Sequence, residues 1–280
     1  GMIAMINMQS WMFIKSYEKL REKVLKSTTI LNMAHLGPNG FDSFGGEVVS
    51  TTAFVLQNNY NHKYIGDFIR LVAGKSEKEK SSMMKKAILN KDCDFFYRIS
   101  SDQFNVINGS PINYWMPKSF RNVFVESSKL SDIAEIKAGL QTGNNEKFLR
   151  LWSEVSHDNT NFDFSDTEIA KNSPIKWYPY NKGGEYRNWY GNNLYVVNWE
   201  HGGNDIENSS GSVIRNKRFY FKSGVTYKLI SSLGFSSRFV PQGFIFDNGS
   251  PMLFSDFDPT KITAFLCSKI VKKFIVFLNP

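Results

Sequence analysis

Apolar and polar positions change their spacing several times along this chain, and each change marks an element. Residues 3 to 8, IAMINM, are an apolar run of strand length. The next segment, SWMFIKSYEKLREKVLKS at 10 to 27, is rich in helix formers and opens on Ser10, so a helix capped by that hydroxyl is predicted. TTILNMAHL (28–36) then reads as a strand, GPNGFDSFGG (37–46) as a glycine-rich loop, and the alternating EVVSTTAFVLQN (47–58) as a further strand.

The lysine-rich GKSEKEKSSMMKKAILNKD (74–92) mixes both signs of charge, which predicts a solvated helix or connector. FFYRISSDQFNVINGSPINYWMPKSF (95–120) is aromatic and punctuated by proline, and is read as an ordered linker. A new texture begins near Ser128. KLSDIAEIKAGLQTGNNEKFLRLW predicts a helix or turn, a Gly/Thr/Asn turn and then a strand; beyond it, short aromatic strands alternate with Gly/Asn/Ser loops, the signature of an α+β domain. In the C-terminal run, Phe265, Leu266, Ile270, Phe274 and Leu278 suit one face of a helix. Lys269, Lys272 and Lys273 make that run too charged to span a bilayer, so no membrane partner is expected.

Composition sharpens this picture at three points. The chain has 280 residues, 41% of them hydrophobic, which is enough to fill real cores. A net charge of +8 favours an anionic partner. Cys93 and Cys267 stand alone, without a disulfide framework, which fits a reducing, cytoplasmic location. Gly1 ahead of Met2 reads as a cloning remnant.

The usual catalytic and cofactor patterns are missing. His35, His62, His157 and His201 are scattered without acidic or thiol neighbours at ligand spacing, so each is expected at the surface or in a cap, and no metal site is expected. AGKS at 73–76 resembles the end of a phosphate loop, but Ile69 stands where that loop requires glycine. Gly37, Gly40, Gly45 and Gly46 lie between two predicted strands rather than between a strand and a helix, so they read as a plain loop. From the residues alone, the chain is a basic two-part protein built for binding more than for catalysis.

One stretch concentrates rings, cations and loop formers: KWYPYNKGGEYRNWYGNN, residues 176 to 193, which has neither a helical nor a strand period. Trp177, Tyr178, Tyr180, Tyr186, Trp189 and Tyr190 read first as core and loop-anchoring aromatics, because duplex nucleic acid offers no free base faces except at a flipped site.

Seven segments together carry a resemblance. MINMQSWMFIKSYEKLREKVL, ILNMAHLG, GGEVVSTTAFVLQN, YRISSDQFNVINGSPINYW, IKAGLQTGNNEKFLRLWSEV, WYPYNKGGEYRNWYGNNLYVVNWE and FSSRFVPQGFIFDNGSPM occur in this order. They resemble the middle-to-late portion of PglX-type adenine-specific DNA methyltransferases of BREX phage-defence systems, which are similar to single-chain restriction-modification enzymes. The resemblance implies that residues 1–58 are the end of a Rossmann-like methyltransferase domain, 59–127 a connector, and 128–280 a target recognition domain. Overall this is an α+β chain: a partial Rossmann-like α/β segment followed by a loop-rich α+β domain. Enzymes of this kind move a methyl group from S-adenosylmethionine to the N6 of adenine in duplex DNA.

The family's Asn-Pro-Pro-Tyr/Phe motif is absent, the sole Asn-Pro being Asn279-Pro280. No catalytic or cofactor residue is therefore expected here. S-adenosylmethionine is expected for the full-length protein, and the chain is expected to be a fragment truncated at both ends, whose cut faces favour a dimer.

As a target recognition domain the chain implies double-stranded DNA as partner, with other phage-defence proteins as further partners. Lys182 and Arg187 would neutralise phosphates or read guanine edges, Asn188, Asn192 and Asn193 would pair with base edges or caps, and Gly183 and Gly184 would permit close backbone approach. Gln141, Thr142, Asn144 and Asn145 would line a groove-facing loop, although a tight turn demands the same residues. Arg215, Lys217, Arg218, Lys222, Lys228 and Arg238 supply further cations, some of them expected on one face. The competing expectation is a module that docks onto other defence proteins without touching DNA.

Overall fold

The computed structural model describes residues 1–42, 49–164, 167–228 and 234–278. Gly45, Gly46, the start of EVVS and Asn279-Pro280 lie outside them. The fold is mixed α and β and divides into two compact units: Gly1–Ser128 with the last residues from Val276 on, and Lys129–Ile275.

The first unit is built on a five-stranded sheet of β1 (Met2–Met8), β2 (Thr29–Gly37), β3 (Thr51–Gln57), β4 (Ile65–Arg70) and β5 (Phe96–Ser100), in the order β1-β3-β2-β4-β5. Only β2 and β4 run parallel. Along β2 an irregularity between Ile30 and Asn32 shifts the register, so Ile30 and Met33, three residues apart, are both buried in one core. Without that shift a strand's two-residue period would turn one of them outward. Trp11, Phe54, Phe68, Phe104 and Tyr114 fill the same core.

Helix α1 (Glu18–Ser27) starts later than predicted. Ser10 is not its cap: Trp11 and Met12 are buried, and the chain first makes a 3₁₀ turn over Gln9–Met12. The carbonyls of Trp11 and Ile14 instead accept from the buried Arg21 guanidinium, which also reaches Gly109. Helix α2 (Glu77–Leu89) is capped by Ser76, whose hydroxyl accepts from the Glu79 amide, so GKS opens a helix as a cap. Its Lys80 is buried, and the ammonium donates to the carbonyls of Leu36 and Leu71. Helix α3 (Lys118–Glu126) closes the unit.

Two expectations are corrected here. Residues 59–127 are more than a connector, because β4, α2 and β5 are built from them and Phe68, Ile99, Phe104 and Tyr114 are core residues. His35 is buried rather than at the surface. Its ring pairs with the Tyr114 hydroxyl at 3.0 Å and the Gln9 side-chain oxygen at 2.7 Å. Burial, with Arg70 and Lys80 nearby, pushes its pKa down to about 3.

The second unit holds two four-stranded sheets. Its helices are α4 (Leu130–Ile133), α5 (Asn145–Phe148), α6 (Thr167–Asn172), α7 (Asn204–Glu207), α8 (Pro259–Leu266) and α9 (Lys269–Leu278) as far as Ile275, the last residues of α9 being counted with the first unit. One sheet orders β6 (Glu135–Lys137), β10 (Gly224–Tyr227), β11 (Ser237–Val240) and β13 (Met252–Phe254) as β11-β10-β13-β6. The other orders β7 (Leu149–Leu151), β8 (Trp177–Asn181), β9 (Tyr195–Asn198) and β12 (Ile245–Phe246) as β12-β8-β9-β7. A shared aromatic core, including Tyr178, Tyr180, Trp199, Tyr220, Phe221 and Phe246, joins them.

The aromatic stretch at 176–193 thus begins as a strand. β8 lies between β12 and β9 and is buried on both faces, so its residues show no alternation to read. The C-terminal run is two helices rather than one amphipathic face. Ile262, Leu266 and Val271 pack into one core, while Phe265, Ile270 and Leu278 are exposed, because the helix breaks at Cys267 and Ser268 and the stripe rotates. Among the described residues, no helix is long and apolar enough to cross a membrane.

Candidate nucleic-acid interface

Four loops of the second unit converge where β8 and β12 end. The parallel pairing of Phe246 with Asn181 brings the Asp247–Ser250 turn beside Lys182 and Gly183, and the Asp247 amide donates to the Asn181 carbonyl. On its other side this turn meets residues 140–145: Leu140 bridges to Asp247, and the Asn248 amide donates to the Leu140 carbonyl at 2.9 Å. Gln141 in turn bridges to Val213, bringing in the segment 209–216. The approach is so close at Gly139 that a Cβ there would lie 1.9 Å from the Phe246 carbonyl oxygen, so glycine is required.

Tyr180 ties the cluster to the core. Its hydroxyl, wholly buried, donates to the Asp247 carboxylate at 2.8 Å and faces the Leu140 carbonyl at 3.2 Å. Burial and the adjacent carboxylate push its pKa far up, so it stays a donor. The second Asp247 oxygen accepts from the Gly249 amide at 2.7 Å. A small polar cleft lies above, lined by Gln141, Thr142, Asn145, Asp247 and Asn248.

The sequence-predicted residues divide on this frame. Gln141, Asn144, Lys182 and Arg215 belong to the converging loops: Gln141 donates to the Gly211 carbonyl, Arg215 to Asn248 at 3.2 Å, and the Lys182 ammonium sits 5.4 Å from the centre of the Tyr195 ring. Asn144 caps α5 by accepting from the Lys147 amide. Thr142 is turned inward; its buried hydroxyl donates to Asn145, which removes it from a groove-facing role.

Residues 183–192 form a loop that docks on β11, through the Trp189 amide to the Ser237 carbonyl and the Phe239 amide to the Trp189 carbonyl. Arg187 is exposed on this loop, with Trp189 and Tyr190, so those two rings depart from the core reading that Tyr178 and Tyr180 follow. Asn188 is half-buried, its amide nitrogen donating to the Tyr186 hydroxyl and its oxygen facing the Cys267 thiol, which makes it a loop anchor rather than a base reader. Arg238 is 1% exposed, because on β11 it faces the same way as Thr226, into the unit; it is no open groove contact. Arg218 belongs to a different group: with Lys137 and Lys222 it rests on the Phe219 ring.

Sequence reasoning missed Asp247, Asn248 and Ser250. The signal was there in Asp-Asn-Gly-Ser between two apolar runs, a polar turn.

The described glycines of the 37–46 loop do not fit S-adenosylmethionine. Gly37 ends β2 and Gly40 follows it, the neighbouring β3 is antiparallel, and the space at the two glycines is taken by Val72 and by Leu36 and Thr51. Among the described residues no group of three His, Cys, Asp or Glu side chains is placed to hold a metal ion.

No family model matches the chain. It is 38% identical over 290 aligned residues to the adenine-specific methyltransferase PglX of Lacticaseibacillus casei (strain Zhang), covering 100% of this chain and 24% of that protein. To the adenine-specific methyltransferase BrxX of Escherichia coli O9:H4 (strain HS) it is 40% identical over 257 residues, covering 91% of this chain and 20% of that protein. The chain therefore spans about a fifth to a quarter of the length of these curated relatives. Among solved structures, the type IIL restriction-modification enzyme MmeI in complex with DNA superposes with a TM-score of 0.47 at 12% identity, over 95% of this chain and 35% of that one.

Proposed function

Over essentially its whole length this chain is a relative of one stretch of the PglX and BrxX adenine-specific methyltransferases, and on that premise we propose that its second unit is their DNA target recognition portion. The first unit then closes the methyltransferase domain. The longer protein would use S-adenosylmethionine to methylate the N6 of adenine in duplex DNA, and this chain's own contribution is binding rather than methyl transfer.

The observation that carries this reading is the convergence of residues 141–145, 182–183, 209–216 and 247–250 into one rim, where amides and two cations stand together on a core-anchored base. Lys182 and Arg215 have neutral partners, so they are free to neutralise backbone phosphates. Gln141, Asn145 and Asn248 present both donors and acceptors, the chemistry that reads base edges.

Duplex binding by this chain across a salt series tests the proposal. Each phosphate contact adds roughly 0.9 to the slope of log affinity against log salt. The Lys182→Gln/Arg215→Gln double variant should lower that slope by about two. Binding that ignores salt in the parent protein would sink the DNA reading and favour docking onto another protein.

A further inference from the structure

Arg187, exposed on the 183–192 loop, and Arg238, buried beneath it, lie near each other without a carboxylate partner. Arg238 is buried, and its Nε and Nη1 have no hydrogen-bond partner. Arg187 is close enough to disfavour its charge further, and among the described residues neither guanidinium enters an ion pair. The loop that covers Arg238 holds left-handed backbone at Gly183, Gly184, Trp189, Gly191 and Asn192. Trp189, at φ 73°, is the strained member, since a bulky side chain disfavours that region. Arg187 lies along Gly191, where a Cβ would come within 2.7 Å of its Cδ.

A buried, unpaired guanidinium beside a second, exposed one is unfavourable, because the desolvated Arg238 lacks a compensating charge and faces a like one. A tetrahedral oxyanion supplies what is missing: acceptor oxygens for the free N–H groups, in the geometry that arginine matches. We propose that Arg187 and Arg238 are the two sides of an oxyanion site that opens when the 183–192 loop shifts, and that its occupant is a backbone phosphodiester of duplex DNA. This deepens the DNA-recognition reading and rests on it.

The test compares Arg187→Gln, Arg238→Met and the parent chain in two assays, thermal unfolding with and without inorganic phosphate and duplex binding across a salt series. Without phosphate, Arg238→Met should raise Tm by about 5 °C, since it removes an uncompensated buried charge; a merely structural arginine would give a fall instead. Inorganic phosphate should raise Tm of the parent and leave Arg238→Met unmoved. Each variant should bind duplex about tenfold more weakly, with the salt slope lower by about one. If the duplex binds with a slope that depends on Lys182 and Arg215 while both variants match the parent, the arginine site is wrong and the DNA reading stands. If phosphate protects the parent through Arg238 but no duplex binds, the phosphodiester occupant is overturned, and the DNA reading falls with it.

Discussion

Replacing Tyr180 with phenylalanine isolates the link between the buried core and the candidate DNA rim. The ring stays, so packing in the aromatic core is retained; only the hydroxyl that donates to Asp247 at 2.8 Å and faces the Leu140 carbonyl at 3.2 Å is lost. A hydrogen bond to a charged acceptor contributes about 1.5–3 kcal/mol. Asp247 keeps the Gly249 amide, which places the expected loss near the middle of that range, about 2 kcal/mol. For a unit of this size that is a fall in Tm of roughly 4–8 °C. The same hydroxyl joins the 140–145 and 247–250 turns, so the variant should bind duplex several-fold more weakly with an unchanged salt slope, because no phosphate contact has been removed. Calorimetry together with a salt series measures both. A Tm within a degree of the parent, or a salt slope that falls with affinity, would refute the assignment of Tyr180 as the anchor of the rim.

Two further outcomes follow from the packing. His35 is held neutral, with a folded pKa of about 3 against about 6.5 when unfolded, so its contribution is complete above pH 6.5 and is lost as pH falls toward 3. Urea unfolding of the first unit should therefore show a loss of about 2 kcal/mol between pH 7.5 and pH 5, and a His35→Gln variant should show a much flatter dependence. Gly139→Ala would place a methyl 1.9 Å from the Phe246 carbonyl oxygen, which cannot yield cheaply; the second unit should lose about 3 kcal/mol or more, visible as a lower Tm with the first unit unaffected.

Local pattern revealed those elements whose physics is local. β1, β2 and β3 follow from strand-length apolar runs, and α1 from its helix formers, whereas its start was set by Trp11 and Met12 entering the core. The role of 59–127 was hidden, because β4 pairs directly with β2 in parallel although β3 separates them along the chain, and such a pairing leaves no mark in either segment. β8 was hidden for the opposite reason: burial on both faces erased the alternation that identifies a strand. At the candidate site, Gln141, Lys182 and Arg215 were legible as polar loop residues. Arg187 and Arg238 were not distinguishable as exposed and buried, since only the register of β11 against β10 decides which way Arg238 faces.

Net charge alone does not pick out an anion-binding face; the partners of each cation do. Arg218 and Lys137 stand near Glu135, whose carboxyl is held below its usual range by the hydrogen bond from Lys137 first and by Arg218 more weakly. A phosphate approaching there meets a charge already partly compensated, and its gain is reduced accordingly. Lys182 and Arg215 rest instead on a ring and an amide, contacts that orient the cation without neutralising it. An incoming phosphate then displaces counterions rather than a carboxylate, and the full electrostatic gain is available. On the proposed reading, the rim at residues 141–145, 182–183, 209–216 and 247–250 is therefore the better candidate for an anion face, even though the group around Phe219 gathers more cations in one place.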